Sequence, residues 1–230
     1  FESEEAGAMS HPVVGIGASH GPSIQHEPES WTKFGEKDKR DRRFDFQALL
    51  ASAPAGLESQ ITLPVQRERH ASVRRALKNA ANRLAEARPD VIIIVSNVHV
   101  VRSTVPRPVF GIIRAQEFPV VETFGRTFED AFDGLSDERD DMEALSLRPG
   151  HPELANDLIK GLVKDHFDVA CIDQLQPEYA LDESFGFCYR WLIEDSTIPV
   201  VPFLLSRDLP NQASSSRVLH IGFAIRKILD

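Results

Sequence analysis

Arg88-Pro89-Asp90-Val91-Ile92-Ile93-Ile94-Val95-Ser96-Asn97-Val98-His99 is the stretch on which the fold turns. The run Val91 to Val95 is apolar without alternation, so it reads as a strand with no wet face. Such a strand has layers on both sides, which predicts a central and parallel position. Before it, Pro89 disfavours helical geometry at Arg88 and so ends whatever helix arrives there. A helix does arrive: Val73, Leu77, Ala80 and Leu84 keep helical spacing, Pro64 lies in the first turn and Thr62 stands where a cap belongs. Further upstream, Val13 to Ser19 is a short apolar segment that ends in His20 and predicts another buried strand. Strand, helix and strand together predict a β-α-β unit. Residues 21–61 scatter Trp31, Phe34, Phe44, Phe46 and Leu49 among charges, which predicts short helices forming a lid or insertion.

Working downstream, Pro108 to Ile113 reads as a strand, and the acidic stretch Glu129 to Arg148 as surface. Gly150-His151-Pro152 opens a helix with Leu154, Leu158 and Leu162 on one side, capped by His151. Asp168 to Ile172 is a strand. Ile198 to Leu205 is another, placed at an edge or on a bulge because Pro199 and Pro202 each lack an N–H. Ser214 to Ser216 offer a cap for a last helix with Val218, Ile221, Ile225 and Leu229 on one face. The predicted fold is α/β: a single domain with a central mostly parallel or mixed sheet flanked by helices. Residues 1–8 are expected to lie outside it, as a tag remnant or disordered start, and residues 9–230 to form the domain.

Composition narrows the function classes. Hydrophobic residues make up 42%, enough for a real core. The net charge of -9 argues against a nucleic-acid surface, and the mixed stretch Lys37 to Arg43 reads as solvated. No apolar run approaches the ~18 residues of a membrane helix. The acidic start has no apolar core, unlike a signal peptide. Cys171 and Cys188 sit in apolar contexts without metal-ligand spacing, which predicts a reduced, cytoplasmic chain.

Two histidines carry the chemical interest. His20 directly follows the first predicted strand, and His99 follows the Val91-to-Val95 strand after a short gap. Ligands of open α/β sheets bind at the carboxyl ends of strands. Two imidazoles there can converge on one metal, and neutral imidazole suits iron, zinc, copper or nickel. The plainer alternative for each is a hydrogen-bonded loop residue. A metal-dependent hydrolase would need further acidic ligands, for which Glu27 and Asp173 are candidates. His70 reads as solvated, His166 and His220 as structural, and His26 as a residue of the insertion.

Val14-Gly15-Ile16-Gly17-Ala18-Ser19-His20 resembles the N-terminal strand-Ser-His motif of the class III extradiol ring-cleavage dioxygenases. That family includes the protocatechuate 4,5-dioxygenase β subunit and the gallate and 3-O-methylgallate dioxygenases. Arg88 to His99 is similar to its RPDV segment ending in Asn-x-His, and Gly150 to Ala155 to its Gly-His-Pro helix start. Gln60 to His70 looks like the methylgallate-type branch. The resemblance runs in order over most of residues 12–229. It implies an oxidoreductase of aromatic compound catabolism that opens a catechol or gallate-type acid with O2. The implied cofactor is Fe(II) in a 2-His-1-carboxylate site, with His20 and His99 as metal ligands. Ser19, Asn97 and Arg102 are the substrate-side candidates: Arg102, three residues past His99, suits a ring carboxylate, with a surface position as the plainer reading, and Asn97 orients His99 or makes a turn bond. Tyr179 stands where the family carries a further active-site histidine. The implied assembly is a homo-oligomer or a partner subunit. The family's glutamate ligand and the histidine of its Gly-Gly-x-Ser-His motif fall beyond Asp230. The favoured expectation is that the native protein continues; the alternatives are completion by another chain, or a non-catalytic binding member of the same fold.

Overall fold

Runs of apolar residues become buried strands, and amphipathic segments close over them. The computed structural model describes residues 14–42, 45–97, 108–121, 145–206 and 211–230. Short helices α1 (Pro22–Gln25), α2 (Trp31–Asp38), α3 (Phe46–Ala51) and α4 (Leu57–Gln60) precede the long α5 (Leu63–Ala87). Then come β1 (Ile92–Asn97), β2 (Phe110–Ile113), β3 (Glu117–Val121) and β4 (Leu145–Pro149). They are followed by α6 (Pro152–Lys164), β5 (Ala170–Ile172), α7 (Glu183–Trp191), β6 (Val200–Leu205) and α8 (Ser215–Leu229). The fold is a single α/β domain, and the predicted short helices of the insertion are present.

The main sheet has the order β1-β6-β2-β5 and is mixed. β1 and β6 are parallel, β2 and β5 are parallel, and β6 and β2 are antiparallel. β3 and β4 form a separate antiparallel pair. Alternation along each strand divides the core into two layers. Ile94, Ile113, Val200 and Leu204 face β3 and α7, packing with Phe118, Val120, Phe185 and Ile193. Ile112, Phe110, Val201 and Phe203 face the other way, onto Leu158 and Leu162 of α6 and Ile221 and Ala224 of α8. α6 and α8 cross where Gly161 meets Ile228, since a Cβ on Gly161 would fall 2.5 Å from Ile228 Cγ1.

Several expectations are corrected. Val14 to Ser19 forms no strand, so no β-α-β unit with β1 exists among the described residues. The segment has little to bury, and built Cβ atoms on Gly15 and Gly17 would meet nothing within 4 Å. β1 stands at the end of the described strand order rather than in the centre, and its Val95 is 51% exposed. Conversely, the proline-bearing strand is internal. Pro199 accepts from the Ile92 N–H, so residues 199, 201, 203 and 205 direct their backbone groups to β1. Pro202 therefore points its N toward β2, whose pairing begins only at Phe203. The missing donor falls where the β6–β2 pairing stops, beyond Ile112 opposite Phe203, so the proline ends that ladder rather than interrupting it midway. Residues 145–148, at the end of the acidic stretch read as surface, form most of β4. Helix ends follow the sequence signals more closely. His151 Nδ1 accepts from the Leu154 N–H at 3.1 Å, and Ser214 caps α8 through the Arg217 N–H. Thr62 occupies the cap position of α5 without a side-chain bond.

Candidate functional site at the carboxyl end of the first strand

Because β1 and β6 are parallel, both end on one edge of the sheet, and β2 and β5 begin there. Asn97 is the last residue of β1. Its carbonyl oxygen lies 2.7 Å from the hydroxyl of Ser184 in the first turn of α7. The same hydroxyl lies 2.6 Å from Asp182 Oδ1, which also accepts the Ser184 N–H at 3.0 Å. The Ser184 hydroxyl thus sits between the end of the strand and the cap of the helix. Both side chains are deeply buried, Asp182 4% and Ser184 2% exposed. Buried polar groups of this kind hold geometry tightly, since leaving one unpaired is costly. The result is a clamp between α7 and the tip of β1. Asp182 and Ser184 are absent from the sequence prediction. Asp182-Glu183-Ser184 ahead of an apolar run is a recognisable cap signal, but nothing local says that the hydroxyl reaches β1.

Of the predicted site residues, Asn97 ends β1, and it is its backbone carbonyl that meets Ser184. His20 is half-buried at the entry to α1, and its carbonyl accepts from Gln25 Nε2 at 2.9 Å. Ser19 is exposed and accepts the Gly21 N–H at 3.3 Å. Ile16, four residues before His20, packs beside Phe187 of α7, the helix that clamps β1. Tyr179 ends a 3-10 turn, Pro177–Tyr179, three residues before Asp182, and is 37% exposed. His99 and Arg102 lie outside the described residues. Among those described, no three His, Cys, Asp or Glu side chains come together as a metal set.

The acidic residues offered for a hydrolase are engaged elsewhere. Glu27 Oε2 lies 3.6 Å from His70 Nδ1, and Arg74 Nε donates to His70 Nε2 at 3.3 Å. His70, expected to be solvated, is 7% exposed. With Nε2 accepting, its proton sits on Nδ1 facing Glu27. The Arg74 guanidinium in turn lies 3.8 Å over the Trp191 ring, and the Trp31 and His70 rings meet edge to face. This group fastens the 22–38 insertion to α5 and α7. His26 belongs to the same insertion, where burial, and then the Arg190 charge, push its imidazole below the usual range. Asp173 is bonded by Arg114, which holds its carboxyl below the usual range. Both cysteines are free thiols.

Residues 48–230 match the family model described as the catalytic LigB subunit of aromatic ring-opening dioxygenase. The match covers most of the chain, including β1, α7 and the position of His99, and starts after His20. No curated protein matches the chain. No helix among the described residues is long and apolar enough to cross a membrane.

Proposed function

Because the chain belongs to the family of catalytic LigB subunits of aromatic ring-opening dioxygenases, we propose that it opens a catechol or gallate-type aromatic acid with dioxygen. The proposed cofactor is iron(II), held by His20 and His99. The family match over residues 48–230 is the observation that carries this reading. The donor chemistry is compatible: neutral imidazoles suit iron(II) and leave positions open for other ligands. When bound, iron(II) supplies a shared coordination centre for a catecholate and dioxygen.

The chain's own residues do the rest. The Ser184 hydroxyl fixes the Asn97 carbonyl two residues before His99, so it acts as a positioning group for that imidazole. Orientation of this kind recovers much of the entropy that two reactants lose on meeting. Tyr179 supplies a phenolic hydroxyl as hydrogen-bond donor to the substrate. Arg102 pairs with the ring carboxylate, and Ser19 and Asn97 line the same side. The insertion fastened by Glu27, His70 and Arg74 limits water at the approach to His20.

The test is oxygen uptake by the iron(II)-loaded full-length protein with catechol, protocatechuate and gallate, against benzoate as a control without vicinal hydroxyls. Uptake with at least one vicinal diol and none with benzoate is expected. No uptake with any diol, with iron(II) retained, contradicts the reading.

A further inference from the structure

A second concave site lies on the same edge of the sheet, where β2 and β5 begin and α8 starts. It is a groove of about 730 Å³, within the usual range for small-ligand sites. Phe167 lines it with the fully buried Phe110 beneath, and Val163 of α6, also in the lining, is 56% exposed. β1 and β5 are opposite ends of the strand order, so the groove is two strands removed from the clamp at Asn97.

Arg217 is the guanidinium of the groove. Its guanidinium carbon lies 5.2 Å from the Phe167 ring centre and 5.9 Å from that of Phe110. Among the described residues no carboxylate pairs with it. Cation–π contact with the two rings leaves the N–H groups of the guanidinium available. Asp168 stands at the rim, so the lining carries one positive and one negative charge besides His166. That balance suits a monoanion with an apolar body and disfavours phosphate.

The backbone supplies an independent observation. α6 ends in the two-bond Schellman arrangement, with His166 N–H to Val163 O at 3.1 Å and Phe167 N–H to Leu162 O at 2.9 Å. The residue between them has a left-handed backbone, with φ of 65°, and glycine is the usual occupant. Here the position carries an imidazole that lines the groove. A backbone outlier at a cavity wall is a reason to look for a role of its side chain.

We propose that this groove binds a small aromatic monocarboxylate, with the carboxylate on Arg217 and His166 and the ring against Phe167 and Val163. It is a binding site separate from the ring-opening site. Benzoate is the probe, titrated by calorimetry against the full-length protein, with inorganic phosphate as the contrast. Benzoate binding of millimolar order is expected, as befits so small a ligand, with phosphate weaker. Arg217→Gln should weaken it by about tenfold or more, the scale of one charge-assisted contact. Val163→Trp, at an exposed position, should fill the groove and abolish binding without unfolding the protein. His166→Gly should weaken binding while raising Tm; a purely structural histidine would raise Tm and leave binding alone. His99→Ala should bind benzoate as the wild type does. Absence of binding, binding indifferent to Arg217→Gln and Val163→Trp, tighter phosphate, or loss in His99→Ala would each overturn the proposal. None of these results bears on oxygen uptake, so the two readings fail separately.

Discussion

Cys188 packs against the cluster of Leu77, Phe187 and Leu192, and burial pushes its thiol up to about 11. In the unfolded chain the thiol ionises near 9. Below 9 both states keep the proton and the fold is unaffected. Between 9 and 11 only the unfolded state releases it, so stability falls as pH rises through this window, by about 2–3 kcal/mol. Denaturant unfolding at pH 8 and pH 11 should show this loss, and Cys188→Ala should lack that part of it; equal losses would contradict the burial argument. At Ser184 the prediction concerns hydrogen bonding. Ser184→Ala should lower stability by about 1–2 kcal/mol and reduce the oxygen-uptake rate with little change in KM. Ser184→Thr should restore the rate if the hydroxyl is what positions the strand tip. Residue chemistry was legible in the sequence where partners are neighbours, as in the caps of His151 and Ser214. It was illegible where they come from other elements. His70 looks solvated among charges along the chain, yet it is buried because Glu27 and Trp31 fold back onto it.

At the scale of elements, close approach of backbones sets the tolerances. A Cβ on Gly150 would lie 2.0 Å from the Ala115 carbonyl oxygen, a backbone atom that cannot rotate away. The Gly150 N–H bonds Gln116 O at 2.7 Å, and the residue also bridges to Val200. Gly150→Ala should therefore destabilise by roughly 3 kcal/mol or more. Gly161→Ala meets only the Ile228 side chain, which can turn, and should cost distinctly less; thermal unfolding of the pair ranks them. Leu158, fully buried between α6 and the sheet, should lose about 2–5 kcal/mol on change to Ala. The existence and type of α5, α6, α8, β1 and β6 were legible because periodicity is local. Their neighbours were not. Strand order depends on contacts far apart in the chain, so β1 was expected in the centre and β6 at an edge or on a bulge; among the described strands β1 ends the order and β6 lies inside it. The failure of Val14 to Ser19 to form a strand has the same origin: an apolar run becomes a strand only where a partner edge accepts it.

For the molecule as a whole, a mixed sheet between a layer of β3, β4 and α7 and a layer of α6 and α8 leaves one edge to collect strand tips and helix starts. The clamp at Asn97 and the groove at Arg217 both lie on that edge. The fold class was readable from alternating strand and helix signals, and the family from motif order. Of the candidate site, the strand that ends at Asn97 was readable, while its bond to Ser184 and the Asp182 cap needed the third dimension. The central claim is that His20 and His99 serve one oxygen-inserting centre. Its most direct test is single-turnover ring opening of a vicinal-diol acid under ¹⁸O₂ by the iron(II)-loaded full-length protein, with His20→Ala and His99→Ala alongside, read by mass spectrometry. The account predicts a ring-opened product carrying both atoms of dioxygen from the wild type and none from either folded variant. Product with one labelled atom or none, or full product from either variant, would contradict it.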